Sequence, residues 1–315
     1  MIYDCIPFFN ELDILNLRLH ILDPIVDQFI IEEATVTFSG QPKELCFEKN
    51  KDMFQEFLPK IEYIVVDNSP VDTTTHLRDK FQKNALVKGL AKAGDEDMIL
   101  LSDVDEIPNP DVIRKIAADF DPDKVYHLAQ RMFYCFINME EMSGNLLSIT
   151  GEFPEVKRRL WLGTKVFSKR SIPEGGIIEL REAGVTAANA VRVADGGWHF
   201  GYMGSRKEVD VSKRIGTKVV AAAHQEYNDE DTLKEAADRL ILGQDIFGRD
   251  ARFERVEVDE TYPEYLRAHI EEYRHLIMPP ISAGRRRMTA LSMKSRHFAR
   301  KARRKIKRML KGSKE

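Results

Sequence analysis

Cysteine is scarce in this chain. Its 315 residues hold three, Cys5, Cys46 and Cys135, far apart and odd in number. They match neither a disulfide framework nor a zinc site, and a reducing, cytoplasmic setting is the simpler expectation. No apolar run approaches the ~20 residues that a membrane span needs. Met1 leads straight into IYDCIPFF, with no basic stretch and no small-residue cleavage site, so no secretory signal is expected. There are no internal repeats and no low-complexity segment before the tail. Acidic residues almost vanish from that tail: Gly284 to Glu315 carries 14 Lys/Arg and one Glu, or +13. The whole chain is at -3, which leaves -16 on the body. Such an asymmetry speaks about partners rather than fold.

What is present is enough apolar sequence, 43% of residues, for one large domain or two small ones. Ile2–Phe9, Gln28–Glu33, Ile61–Asp67 and Met98–Ser102 read as strands that are apolar on both faces. Helical patterns separate them: one that Asn10 caps, carrying Leu12, Leu15, Leu19 and Leu22, and one from about Leu77 to Ala93. Asn109 caps a further helix with Pro110 at its first position. This alternation predicts a mostly parallel, Rossmann-like α/β sheet flanked by helices. The second half is less regular. It holds a β-rich stretch at Val125–Asn138, short strands near Glu155–Trp161 and Lys165–Lys169, and Gly-rich turns at Gly175–Gly176 and Gly196–Gly197. Helices are expected over about Ser205–Ala223, Asp231–Leu242 and Tyr262–Leu276. In the tail, Leu291, Phe298, Ala302, Ile306 and Leu310 fall near one helical face. A basic amphipathic helix on an anionic membrane is one reading, and a solvated extension is the other. With an acidic body and no recognised nucleic-acid module, no nucleic acid is expected as a partner.

The stretch ILLSDVDEIPNP, residues 99–110, carries the most chemistry. An apolar strand runs straight into Asp103, Asp105 and Glu106. Ligands of open α/β sheets bind at the carboxyl ends of the strands. If the strand continues, positions i and i+2 point the same way, and Asp103 and Asp105 converge. Two such carboxylates need a cation between them, and oxygen ligands suit Mg²⁺ or Mn²⁺ holding a diphosphate. The plainer alternative is an acidic turn that caps the next helix. Two enzyme classes use a strand-end Asp-x-Asp: phosphatases of the haloacid-dehalogenase type, where it follows the first strand, and nucleotide-sugar transferases of the A type. Here it follows a fourth strand and precedes Glu-Ile-Pro, which favours the second.

In order along the chain, FFNELDIL, EEATVTFSGQPKEL, HLRDKFQKNAL, LLSDVDEIP and GGWHFGYMG resemble glycosyltransferase family seventeen. That family includes enzymes that add bisecting N-acetylglucosamine. The resemblance runs from Ile2 to about Pro279, with DVDEIP its most specific element. It implies an A-type glycosyltransferase fold, a UDP-sugar donor, a divalent metal and inversion at the anomeric carbon. Residues 1–280 would form that domain, split near 125/126 into a nucleotide-binding half and an acceptor half, with 281–315 as the tail. The animal enzymes carry an N-terminal anchor and this sequence begins at its first strand. A cytoplasmic enzyme using a glycan or lipid-linked saccharide acceptor, peripheral on the membrane's inner face, is therefore expected.

The resemblance also implies roles for single residues. Asp103 and Asp105 face the metal and the diphosphate, and His199, in GGWHFGYMG, is a further metal ligand; a core histidine beside Trp198 is its alternative. Glu106 either orients the sugar or only caps a turn. Glu33, near Thr35, Thr37, Phe38 and Gly40, either accepts a hydrogen bond from ribose or base or is an ordinary strand-end acid. Arg78 and Gln82, one helical turn apart, either meet the nucleotide or lie on a solvated face, as does Asn84. An inverting transfer needs a carboxylate to take the acceptor's proton. Glu226, in the cluster with His224, ranks first, ahead of Asp245 and Asp195. The non-transferase alternatives are the phosphatase and a non-catalytic carbohydrate-binding protein.

Overall fold

The computed structural model describes residues 1–70, 73–143, 160–184, 187–204, 210–221 and 230–312, with 230–232 and 303–312 described as backbone only. Among the described residues, eleven strands make one sheet. They are β1 (Ile2–Pro7), β2 (Gln28–Ala34), β3 (Ile61–Val66), β4 (Met98–Leu101), β5 (Glu106–Pro108), β6 (Val125–Tyr134), β7 (Met139–Glu141), β8 (Leu160–Trp161), β9 (Lys165–Ser168), β10 (Ala190–Gly201) and β11 (Phe253–Arg255). The helices are α1 (Leu12–Leu22), α2 (Cys46–Lys49), α3 (Thr75–Asn84), α4 (Pro110–Ala118), α5 (Ile178–Glu182), α6 (Val211–Ala221), α7 (Glu230–Ile241), α8 (Glu264–Ala268) and α9 (Ala283–Gly312).

The sheet runs β11-β7-β6-β9-β4-β1-β2-β3, with β10 on β5 and β6 and with β8 on β6. The four apolar strands of the first half are parallel, β3-β2-β1-β4. The expected parallel sheet extends no further: β9 pairs antiparallel with both β4 and β6, and β7 and β11 follow antiparallel. The architecture is a mixed α/β sheet. Both faces of β1, β2 and β4 are buried, while the edge strand β3 is exposed at Glu62 and Val65. Ile14, Leu17, Phe29, Leu100 and Ile113 pack on one side, and Cys5, Ile30, Leu86, Leu90 and Phe167 on the other. Apolar burial on both sides is why β1, β2 and β4 read as mostly hydrophobic runs.

Local chemistry fixes several joints. The Asn109 side chain accepts from Asp111 N at 3.0 Å, and Pro110 opens α4, as the sequence requires. The helix expected over Leu77–Ala93 instead ends at Asn84 and continues as tighter 3₁₀ turns over 85–90. The one expected over Tyr262–Leu276 reduces to the short α8 and a 3₁₀ turn at 274–276. Gly196–Gly197 is not a turn. It lies inside β10, where the pairing with β6 shifts register between Val193 and Gly197. A Cβ on Gly197 (φ +130°) would sit 2.1 Å from the Ile107 carbonyl oxygen. Glycine thus lets β10 close on β5 and aligns His199 with Glu106.

Candidate active site

Strand β4 stops at Leu101, so Asp103 and Asp105 sit in a turn, and the i, i+2 geometry of a strand does not apply. The turn is built from below by Arg18 of α1. Its guanidinium grips Asp4 in two contacts, 2.8 and 2.6 Å, and donates to Ser102 Oγ at 2.6 Å. It also donates to the carbonyls of Asp103 at 3.2 Å and Glu106 at 2.8 Å. Arg18 and Asp4 are both fully buried, and the pair holds the acidic turn to strand β1. From above, Asp103 N donates to Glu106 Oε2 at 2.8 Å, and Phe200 N donates to the Asp105 carbonyl at 2.7 Å.

The carboxylates are matched by cations from distant helices. Asp103 Oδ1 is 3.1 Å from Lys83 Nζ (α3), and its Oδ2 is 3.2 Å from Arg181 Nη2 (α5). Arg181 also reaches Glu106 Oε1 at 2.5 Å, which the Trp161 indole N–H donates to as well. Asp105 pairs with Lys218 Nζ (α6), and the same ammonium is 3.1 Å from Glu11 Oε1, just past β1. His199 Nε2 lies 3.7 Å from Asp105 Oδ1, while its Nδ1 is buried without a hydrogen-bond partner. The sequence expectation of one cation shared by Asp103 and Asp105 gives way to two separate ion-pair nests. The expected trio Asp103, Asp105, His199 is split, with only the last two adjacent. Among the described residues, no three His, Cys, Asp or Glu side chains gather closely enough to hold a metal on their own.

Burial alone would raise the Asp103 carboxyl, but Lys83, then Arg181 and Lys218, hold it well below the ordinary range. Glu106 is raised by burial and pulled down by Arg181, and Glu11 is raised by burial and pulled down by Lys218. The net direction is down for both, so these acids stay anionic at neutral pH. Burial lowers Lys218, but Asp105 and Glu11 outweigh it and keep it protonated. These side chains thus form a field of fixed opposite charges at the carboxyl ends of β1 and β4, the position where such sheets take ligands.

Other expected site residues serve the fold instead. Glu33 is fully buried, and its oxygens receive Lys43 Nζ (2.7 Å), Cys46 N (2.5 Å), Phe47 N (3.0 Å) and Tyr63 OH (2.9 Å). Four donors saturate a carboxylate, and a ribose finds none of it free. Arg78 donates to the carbonyls of Phe38, Pro70 (2.9 Å) and Thr73 (3.3 Å), and Gln82 donates to Val36 O (3.1 Å) and Ser69 Oγ (3.0 Å). Both clamp the loop that leads into α3 and the segment that follows β2. Asn84 donates to Gly175 O at 3.2 Å. Of the candidate bases, Asp245 is buried and held by Arg249 at 2.9 Å and by the backbone N–H of Phe247 at 3.0 Å. Asp195 is exposed, with φ 53°, at the β10 bulge. Glu226 and His224 lie outside the described residues.

Sequence reasoning missed Glu11, Arg18, Lys83, Arg181 and Lys218, because nothing local marks a charge whose partner arrives from elsewhere in the fold. It singled out Glu33 of the Glu32–Glu33 pair, the one whose oxygens its own chain saturates. Neighbours in a strand face opposite ways. Glu32 is 1% exposed, its Oε1 has no partner, and burial pushes it up to about 8, only partly opposed by Lys43. Its folded pKa exceeds the ordinary 4.5, so the stability it lends is full below about pH 4.5 and is lost as pH rises through about 8. Glu32→Gln is expected to gain on the wild type across that window, by up to about 5 kcal/mol. Urea unfolding of both proteins as a function of pH checks it, and parallel profiles would refute it.

Fold and site together define an α/β protein with a cluster of paired charges at the carboxyl ends of its central strands, where open sheets take ligands. Residues 1–143 match the model of glycosyltransferase family 17. It is 28% identical over 110 residues to the human β-1,4-mannosyl-glycoprotein 4-β-N-acetylglucosaminyltransferase, covering 32% of this chain and 21% of that enzyme. The rat enzyme gives 28% over 110 residues (32% and 20%). The match thus spans about a fifth of the length of these relatives. Two solved structures are more distantly similar. A 4-diphosphocytidyl-2C-methyl-D-erythritol synthase has 15% identity over 57% of this chain and 83% of its own, with TM-score 0.32. S. aureus TarS 1–349 has 11% identity over 78% and 79%, with TM-score 0.36. At such scores neither says anything about the site.

Proposed function

We propose that the chain is an inverting glycosyltransferase of the A type. It moves a sugar, N-acetylglucosamine, from a UDP-sugar to a glycan or lipid-linked saccharide in the cytoplasm. The observation that carries this reading is the buried Asp105–Glu106 turn, stapled by Arg18 and roofed by β10, within the segment that matches family 17. The free thiols of Cys5, Cys46 and Cys135 fit a reducing compartment.

A divalent cation, Mn²⁺ or Mg²⁺, suits two of the side chains present. Asp105 and His199 offer an oxygen and a nitrogen 3.7 Å apart, and His199 has no other bond that fixes it. Such ions commonly take one or two protein ligands and complete their shell with water and phosphate. When bound, the ion would neutralise charge on the departing diphosphate. The chain's own groups set up the rest. Lys83, Arg181 and Lys218 present three ammonium and guanidinium groups to an anionic donor while anchoring the carboxylates beneath it. Trp161, with its ring 5.3 Å from that of His199, shields the imidazole from water. A carboxylate takes the acceptor's proton, for which Glu226 remains the first choice, since Asp245 has no free oxygen and Asp195 stands out at the bulge. Glu106, with Arg181 and Trp161 on one oxygen and Asp103 N on the other, shapes the turn rather than reaching a sugar.

A screen of UDP-sugars for UDP release tests the reading, run with Mn²⁺ and with a chelator. UDP-N-acetylglucosamine turnover that requires the metal is the expected result. Turnover that survives chelation would assign the leaving group's charge to Lys218, Lys83 and Arg181. Phosphoester hydrolysis without any sugar donor would favour the phosphatase instead. Against that alternative, Asp103 is clamped between two cations, where a nucleophile needs a free oxygen.

A further inference from the structure

Surface helices normally turn their apolar face to the body and their charges to water. Helix α9, 30 residues from Ala283 to Gly312, does the reverse. It lies on α7 through charged contacts, Arg296 to Asp238 and Arg300 to Glu235, with Met293 beside them half-buried. Met293, Arg296 and Arg300 follow the spacing of one helical face. Met288, Leu291 and Phe298 follow the same spacing about half a turn round, on the outward face. They are 69%, 67% and 76% exposed, the three most exposed large apolar side chains after none but each other among the described residues. Arg287, Lys294 and Lys301, seven residues apart and all exposed, run in a row beside them.

We propose that this outward face docks on an anionic lipid surface, Met288, Leu291 and Phe298 entering the headgroup region and the basic row meeting lipid phosphates. Three observations select that occupant. The apolar residues point away from the body, so folding does not explain them. The helix carries no acid from Ala283 to Gly312, so its charge complements an anionic surface along its whole length. Lys and Arg next to an apolar row extend their stems along it and keep their charges at the phosphate level. No helix among the described residues is long and apolar enough to cross a membrane. This docking is therefore in the plane of the surface, and it does not depend on the glycosyltransferase reading.

Co-sedimentation of the full chain with vesicles tests the proposal. Binding is expected to phosphatidylglycerol-rich vesicles and not to pure phosphatidylcholine, weakening as salt screens the charges. The double variant Leu291→Ser/Phe298→Ser is expected to lower partition by about ten-fold or more, since both residues lose their apolar contact. Met53→Ser removes a 44%-exposed apolar residue elsewhere and should leave binding unchanged. Equal sedimentation with both vesicle types, or a double variant that binds like the wild type, overturns the proposal. So does an oligomer that the double variant dissociates in the absence of lipid, which would give the face to a second copy. An unchanged circular dichroism spectrum and melting point of the double variant separates lost docking from lost folding.

Discussion

Arg18→Met is expected to cost about 3–5 kcal/mol of stability, because it leaves Asp4 as an unpaired charge in the core. The size follows from the bonding. All the guanidinium's donors are used, two on Asp4, one on Ser102 and others on the carbonyls of Asp103 and Glu106. Neither residue is reached by water. Arg18→Lys keeps the charge but not the two-pronged grip, and it should fall between the wild type and the Met variant. Adding Asp4→Asn to Arg18→Met removes the orphaned charge and should recover part of the loss, while the carbonyls of Asp103 and Glu106 keep only their bonds from Glu106 N and Thr164 Oγ1. Equilibrium urea unfolding gives all four values. A loss below about 1 kcal/mol for Arg18→Met would mean the pair is no staple.

Asp105→Asn is expected to lower glycosyl transfer about 10³-fold while the protein stays folded. Folding survives because Lys218 keeps a second carboxylate, Glu11, at 3.1 Å. Activity falls because Asp105 is the acid that stands beside His199 and beneath the proposed diphosphate position. Glu33→Gln serves as the counter-case. Glu33 binds four donors of its own chain, so its loss should lower the melting temperature and leave kcat near the wild-type value. Release of UDP from UDP-N-acetylglucosamine reports both variants. Near-wild-type turnover in Asp105→Asn would detach the chemistry from this cluster.

These residues also show which parts of the molecule can be read from the chain. The four parallel strands are legible because each carries a short, mostly apolar run bounded by polar or turn residues. The Asn109 cap is legible because a cap is a local bond between neighbours. The acidic turn is legible as a position, since Leu101 ends an apolar run. Its partners are not. Lys83, Arg181 and Lys218 come from α3, α5 and α6, and only the folded chain brings them to Asp103, Glu106 and Asp105. Glu32 and Glu33 look alike in sequence. They differ because Lys43, Cys46, Phe47 and Tyr63 sit on one side of β2 only. The glycine pair at 196–197 signals close backbone approach, and the same two letters stand for a turn or for a bulge. Strand β9 is legible as a short strand, but nothing in its Lys-Val-Phe-Ser run marks it as antiparallel or places it between β4 and β6.

Strand β9 has a practical consequence. The family-matching segment ends at residue 143, but β4 completes its hydrogen bonds with β9, and β5 and β6 complete theirs with β10. A fragment cut at 143 would leave Met98–Leu101 as an open, greasy sheet margin, primed to pair with neighbouring molecules. Such a fragment should collect in inclusion bodies. The recognisable unit and the unit that can be expressed alone are different lengths of chain.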